Sequence, residues 1–287
     1  MLEPIKITII TASYCAARTI EQTMASVVSQ DYPLIEYIVV DGGSTDGTVD
    51  KIKKYEKHGI RWISEPDQGL YDALNKGVRM ATGDYIEIIG ADDALVDSNV
   101  ISRVVHQIKP DTDIFSGQEW CVDEESGTQY PYLNATMRNK ATYPGGMAPH
   151  AALFVRRELF LRYPFDTSYR IAADYKFFLQ CYYDETVRIQ YSDEMVAFFS
   201  ISGMSSDLQA CHEEDNRIYA ELGLPFHSPN EAFVSPIKRK LKKGLAAVGA
   251  FSVAKRVWTP VRRFIDTNIR WQKHRCTNEI CRWCGRV

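Results

Sequence analysis

Three acidic stretches stand out along the chain: Asp41-Gly42-Gly43-Ser44-Thr45-Asp46-Gly47, Glu65-Pro66-Asp67-Gln68-Gly69 and Ala91-Asp92-Asp93. Each follows a short apolar run. Taken singly, Asp-Gly-Gly is an ordinary turn and Asp-Asp after a strand an ordinary solvated cap. Gathered on one rim, the same carboxylates would repel an anionic diphosphate unless a hard divalent cation bridged them, and Mg²⁺ or Mn²⁺ with oxygen ligands meets that need. The other phosphate-binding solutions are missing, since neither G-x-G-x-x-G nor G-x-x-x-x-G-K-[ST] occurs. A second set is of different character. His274, Cys276, Cys281 and Cys284 put three thiols and an imidazole close together in sequence. Zinc accepts such ligands; a frayed terminus is the other reading.

The elements that must position the acids are legible from periodicity. Residues 5–11 and 37–41 are β-branched runs that read as buried parallel strands, and between them Ile20, Met24, Val27 and Val28 mark an amphipathic helix over 17–30. The alternation repeats. Asp46 is expected to cap a helix over 48–57, followed by a strand at 61–64, a helix over 70–81 and a strand at 85–89. Such alternation implies an α/β fold, a doubly wound, mostly parallel sheet with helices on both faces. In such sheets ligands bind at the carboxyl ends of the strands, where the three acidic stretches fall. Further on, 113–117 and 151–155 read as strands, 174–183 as a helix, and Gly145-Gly146 as a flexible loop.

Composition bounds the rest. The chain has 287 residues, 45% hydrophobic and 25% charged, ordinary values for a globular protein. Its net charge of −3 conceals an asymmetry: residues 235–287 hold 14 Lys/Arg against 2 Asp/Glu, which leaves an acidic body of about −15 and a basic tail of about +12. A boundary near residues 225–236 separates the two. The apolar run at residues 5–10 is short and lacks a cleavage pattern, and no stretch approaches the roughly 18 apolar residues of a membrane span. Seven cysteines, an odd number, argue for a reducing compartment. The expectation is a cytoplasmic chain.

The run Ile7-Thr8-Ile9-Ile10-Thr11-Ala12-Ser13, then Glu36-Tyr37-Ile38-Val39-Val40-Asp41-Gly42-Gly43-Ser44-Thr45-Asp46-Gly47-Thr48, then Glu65 through Gly77 and Ala91-Asp92-Asp93, resembles family 2 glycosyltransferases of the GT-A fold. The resemblance is continuous over residues 1–95 and weaker to about residue 206. It implies a GT-A domain over 1–228, with a nucleotide-binding half at 1–95 and an acceptor-side half at 96–228, then a basic, helical tail at 229–287. It further implies an inverting, metal-dependent enzyme using a nucleotide-diphosphate sugar, UDP- or GDP-linked. In this resemblance Thr11 and Ser13 touch the nucleotide, Asp41 binds the base, Asp92 faces the ribose and Asp93 holds the metal. Gly69, Asp72 and Lys76 flank the diphosphate and sugar, although Asp72 reads equally as a helix-surface acid. Asp174, at the start of a late helix, matches the catalytic base. His150 and Ser205, the latter in Gly203-Met204-Ser205-Ser206, fall on the acceptor side; His150 also reads as a structural histidine.

The tail opens with Lys238-Arg239-Lys240-Leu241-Lys242-Lys243, and Leu241, Leu245, Val248, Val257, Val261, Phe264 and Ile265 recur at helical spacing. A basic amphipathic helix on an anionic membrane surface is one reading, which would suit a lipid-linked glycan acceptor in envelope polysaccharide synthesis. A helix packed on the acidic body or on a second copy of the chain is the other. Nucleic acid is not an expected partner, because the body is acidic and no reader motif is present. A non-catalytic sugar-nucleotide-binding protein retaining the fold is the alternative to an enzyme.

Overall fold

The computed structural model describes residues 4–138, 147–201, 203, 208–224 and 272–284. The first strands are β1 (Ile7–Ser13), β2 (Ile35–Asp41), β3 (Arg61–Ser64) and β4 (Tyr85–Ile88). They pair in parallel in the order β4-β1-β2-β3. Between them run α1 (Ile20–Val28), α2 (Thr48–Lys54) and α3 (Leu70–Met80). This is the α/β unit expected from periodicity, with boundaries displaced by at most three residues.

Strand residues pack alternately into two cores. Ile10, Ile38, Val40 and Ile86 face one side with α3, while Ile7, Ile9, Tyr37 and Val39 face the other with α1. Because both faces are covered, the strands carry near-continuous apolar runs. Helix α3 lies directly on β1 because Gly77 has no side chain: a Cβ there would fall 2.6 Å from Ile10 Cγ2. Asp46 acts one residue earlier than a true N-cap. Gly47 occupies that position at φ 98, and Asp46 Oδ1 accepts the Thr48 N–H at 3.0 Å while Oδ2 accepts that of Ala17 at 3.0 Å.

After β4 come β5 (Ala94–Leu95), α4 (Val100–Gln107), β6 (Ile114–Asp123), β7 (Thr128–Tyr132), β8 (Leu153–Arg156), α5 (Arg157–Arg162), α6 (Ala173–Tyr183), β9 (Ile189–Ser200) and α7 (Leu208–Leu222). Strand β8 pairs antiparallel with β4, β6 pairs antiparallel with β8 and β7, and β9 pairs with β6 and β5. The strand expected at 113–117 runs on to Asp123, and a partner, β7, follows it. Thus the second half extends the parallel unit with a mostly antiparallel continuation.

The amphipathic helix expected near residues 238–265 and the Gly145-Gly146 loop lie outside the described residues. Where the tail is described it departs from the expected helix. Gln272–Lys273 form β10, which pairs antiparallel with β7, and a 3₁₀ turn covers Arg282–Cys284. Among the described residues, no helix is long and apolar enough to cross a membrane.

Candidate functional site

The parallel register determines where the first acids go. Ser13 pairs with Asp41, and Asp41 with Ser64, so one residue from each of three adjacent strand ends stands side by side. Asp41 is fully buried and accepts five hydrogen bonds. Oδ1 takes the hydroxyls of Ser13 (3.1 Å) and Ser44 (2.6 Å); Oδ2 takes the Ser64 hydroxyl (2.7 Å) and the N–H groups of Gly43 (3.1 Å) and Ser44 (2.8 Å). Burial opposes its charge, but the bonds from Ser44, Ser64 and Ser13 outweigh burial and hold its carboxyl below the usual range. Beside it Tyr14 is 70% exposed, and its ring and the Asp67 carboxylate close over Gly42, where a Cβ would lie 2.5 Å from Asp67 Oδ2 and 3.3 Å from Tyr14 Cδ2. Thr11 is not brought to this rim: it is fully buried, with its hydroxyl 3.1 Å from that of Tyr37.

The β3 end is tied to α3. Gly69 precedes the helix at φ 112 and ψ 179, backbone open to glycine and strained for any other residue. Its N–H donates to Asp67 Oδ1 at 2.8 Å. Asp72 Oδ2 accepts the Gln68 N–H at 3.1 Å and pairs with Lys76 at 3.5 Å, while the Lys76 ammonium also reaches Glu65 at 3.0 Å and donates to the Pro66 carbonyl at 3.1 Å. Gly69, Asp72 and Lys76 thus form one cluster at the rim, and within it Asp72 serves the helix start.

The β4 end carries the paired acids. A Cβ at Gly90 would lie 2.6 Å from Asp93 Oδ2 and 3.0 Å from Asp92 Oδ1, so both carboxylates converge on the notch that Gly90 leaves open. Asp93 is only 1% exposed; Oδ1 accepts the Ser200 N–H at 2.8 Å and Oδ2 the Gly90 N–H at 3.1 Å. Burial, then repulsion from Asp92, drives its carboxyl well above the ordinary value. Burial also raises Asp92, which is partly exposed, and the nearby Arg282 guanidinium counters that. Asp92 is therefore the more accessible acid of the pair. Two further buried acids lie close by. Glu87 is completely enclosed and Glu119 nearly so, and burial raises both, reinforced by Asp93. Two converging carboxylates with hard oxygen donors, whose mutual repulsion Arg282 only partly offsets, fit a divalent cation.

On the far wall, Asp174 opens α6. Its Oδ1 accepts the Tyr71 hydroxyl at 2.9 Å, and that hydroxyl also meets the Ile171 carbonyl. The loop before α6 is held from α7: Glu214 accepts the N–H groups of Arg170 (2.7 Å), Ile171 (2.9 Å) and Ala172 (2.8 Å). Asp174, Tyr71, His150 and Gly90 line one cavity of about 100 Å³ together with apolar side chains. His150 stacks edge-on against Phe199 at 5.0 Å, and burial lowers its pKa against the pull of Asp174 and Asp92. His150 thus lines the same cavity as Asp174 and feels the charge of both Asp174 and Asp92. Of the late loop only Gly203 is described, and a Cβ there would come within 3.5 Å of Asp92 Oδ2; Ser205 lies outside the described residues. A larger groove, about 740 Å³, opens between β9 and the C-terminal segment; of the residues singled out from the sequence it is lined only by Cys276.

Four contributors escaped sequence reasoning. Tyr71 lies inside a motif already singled out, but nothing marked its hydroxyl as the partner of Asp174. Glu214 reaches its loop across 42 to 44 residues of chain. Arg282, 190 residues from its contact, donates from Nη2 to the Asp92 carbonyl at 3.0 Å, with its side chain 10% exposed. Asp215, beside Glu214, is pushed up to about 6, mainly by burial and then, against the pull of His212, by Asp174 and Glu214. No periodicity or motif carries these contacts.

Residues 8–177 match the family model of glycosyl transferase family 2. The PGL/p-HBAD biosynthesis glycosyltransferase of Mycobacterium bovis (strain BCG / Pasteur 1173P2) is 30% identical over 203 residues, which cover 67% of this chain and 76% of that protein. Among solved structures, S. aureus TarS 1-349 in complex with UDP-GlcNAc superposes with a TM-score of 0.61 at 18% identity, covering 79% of this chain and 69% of that one. The longer TarS chain is spanned only to 41%. The mannosyltransferase PcManGT from Pyrobaculum calidifontis, in complex with GDP-Man and Mn²⁺, has a TM-score of 0.61 at 21% identity over 91% of this chain and 76% of its own. At these identities the solved structures establish a shared GT-A fold.

Proposed function

Because the chain belongs to glycosyl transferase family 2, we propose that it transfers one sugar, with inversion, from a UDP- or GDP-sugar to an acceptor hydroxyl. The observation that carries this reading is the cavity in which Asp174 faces Gly90, the residue on which Asp92 and Asp93 converge. A single displacement needs one carboxylate to accept the acceptor's proton and a separate place for the departing diphosphate. Asp174 takes the first role: Tyr71 and the Glu214-anchored loop hold it toward the cavity. Asp92 and Asp93 would hold Mg²⁺ or Mn²⁺, which when bound offsets charge on the leaving diphosphate. Ser13, Asp41 and Ser64 organise the loop beside which the base sits, and exposed Tyr14 offers it a ring face. His150, neutral near pH 7 because burial lowers it, lies on the acceptor's path.

The printed ligands of the structural neighbours, UDP-GlcNAc and GDP-Man with Mn²⁺, support a nucleotide-sugar donor and a divalent cation of this kind. The acceptor we propose is a lipid-linked glycan of envelope polysaccharide synthesis, reached by the basic tail at the cytoplasmic membrane face. A thermal-shift panel of nucleotide sugars, with and without Mn²⁺, tests the donor site. One nucleotide sugar should stabilise the chain only with metal, and Asp92→Asn should abolish that shift. Absence of a metal-dependent shift with every donor would leave the reading without its central support.

A further inference from the structure

The C-terminal segment holds a second cluster that glycosyl transfer does not use. One ligand atom from each of His274, Cys276, Cys281 and Cys284 lies within 4.8 Å of all the others. Cys276 Sγ is 3.6 Å from Cys284 Sγ, and Cys281 Sγ is 3.4 Å from His274 Nε2. A tetrahedral zinc ion, with Zn–S of about 2.3 Å and Zn–N of about 2.0 Å, sets sulfur–sulfur separations near ~3.8 Å and sulfur–nitrogen separations near ~3.5 Å. Both observed distances fall within a few tenths of an ångström of these. A disulfide needs sulfurs at about 2.05 Å, and all seven cysteines are unbridged.

The surroundings are those of an ordered ligand set. His274 is 4% exposed, and its Nδ1 lies 2.6 Å from Oε1 of Gln129, itself 4% exposed. An amide oxygen only accepts, so Nδ1 carries the proton and the Nε2 lone pair is turned toward the sulfurs, the outer-shell arrangement by which ligating histidines are oriented. The ring is further wedged by Phe198 at 4.6 Å and Trp283 at 5.2 Å. Cys284 is exposed and Cys276 partly so, which leaves an entry path. Chemistry separates this cluster from the acidic cleft: three thiols and an imidazole select zinc, whereas carboxylate oxygens select Mg²⁺ or Mn²⁺.

We propose that His274, Cys276, Cys281 and Cys284 bind one zinc ion, a structural site that holds the C-terminal segment in the folded shape that docks on the body. The segment is short and contributes few core residues, the situation in which a metal commonly replaces a hydrophobic core. Its pairing through β10, the Arg282 N–H donated to Gln22 Oε1 at 2.8 Å and the Arg282 contact with Asp92 all depend on its staying docked.

The test uses the full chain, reduced, stripped of metal and titrated with Co²⁺ in excess Mg²⁺. One Co²⁺ per chain should bind, with tetrahedral d–d absorption and thiolate-to-cobalt charge transfer, and one equivalent of Zn²⁺ should bleach both. The C276S/C284S double variant should lose the charge-transfer band. A wild-type chain without that band, or a band unchanged in the double variant, overturns the proposal. Alkylation mapping of the wild type gives a second measurement that does not depend on the variant folding. Zinc should protect Cys276, Cys281 and Cys284 while exposed Cys15 stays reactive. Equal labelling of all four with and without zinc, or a Cys276–Cys284 disulfide that persists in reductant-free protein given zinc, overturns it as well.

Discussion

Replacing Asp174 by Asn keeps the size of the side chain and an acceptor for the Tyr71 hydroxyl, but removes the carboxylate proposed to take the acceptor's proton. The expected result is a fall in kcat of ~10²–10⁴-fold, the usual worth of a positioned general base, with the donor-induced thermal shift retained. Loss of that shift together with activity would instead assign Asp174 to donor binding. Asp215 gives a pH-dependent counterpart. Its carboxyl is raised from 3.8 to about 6 in the folded chain, so the folded state keeps a proton that the unfolded state has released. Stability from this group is therefore complete below about pH 4 and falls as pH climbs through about 6. Asp215→Asn should remove that decline, worth on the order of 1–2 kcal/mol after allowance for partial solvent screening, and melting curves from pH 4 to 7 would register it. At this scale the sequence exposed residue types and motif positions, so Asp41, Asp92, Asp93 and Asp174 were all nameable. Exposure was not. That Thr11 is turned inward to Tyr37 and that Asp93 is the more enclosed acid follow from which face of each strand the packing covers.

Helix α3 shows two opposing effects at Gly77. In an exposed helix Gly→Ala gains about 1 kcal/mol of propensity. Here the new Cβ would meet Ile10 Cγ2 at 2.6 Å, and overpacking a core costs about 1–3 kcal/mol. Because Ile10 is β-branched and completely buried, it has little room to yield, so the clash should win. Gly77→Ala is expected to lower Tm by several degrees; an unchanged or higher Tm would show that α3 can move off β1. The element pattern up to β4 was readable because each strand and helix has its own period and punctuation. Past residue 95 it was less so. Strand β7 alternates weakly and carries Pro131, and β6 is long because β9 pairs along most of it, a contact between segments some 75 residues apart that no local pattern announces.

At the scale of the whole molecule, the chain's end returns to its middle. Arg282 sits against the carbonyl of Asp92 with its cationic side chain largely enclosed, and a cation there would favour a diphosphate beside the acid pair. Arg282→Gln should weaken donor binding about 5–10-fold, the loss of ~1–1.4 kcal/mol, with little change in kcat at saturation; isothermal titration in Mn²⁺ reads the difference. Equal affinity would confine Arg282 to docking the segment. The basic stretch at 238–243 makes a separate prediction. Full-length chain should pellet with anionic vesicles and not with neutral ones, and less so at high salt, since each basic residue near such a surface is worth about 1 kcal/mol. Exchanging its five Lys/Arg for Gln should abolish pelleting; undiminished pelleting would point the tail toward protein instead.

Read alone, the sequence determined the α/β class, the strand ends that carry the acidic stretches and, through a run of motifs, the family. Those are properties of local period and residue type, and they survive without coordinates. Tertiary structure decided that Asp174 shares a cavity with Gly90, on which Asp92 and Asp93 converge, that Glu214 and Tyr71 hold Asp174, and that Arg282 reaches Asp92. Such contacts come from the way β6, β9 and the C-terminal segment close over the parallel unit, and packing between distant segments leaves no period in the chain.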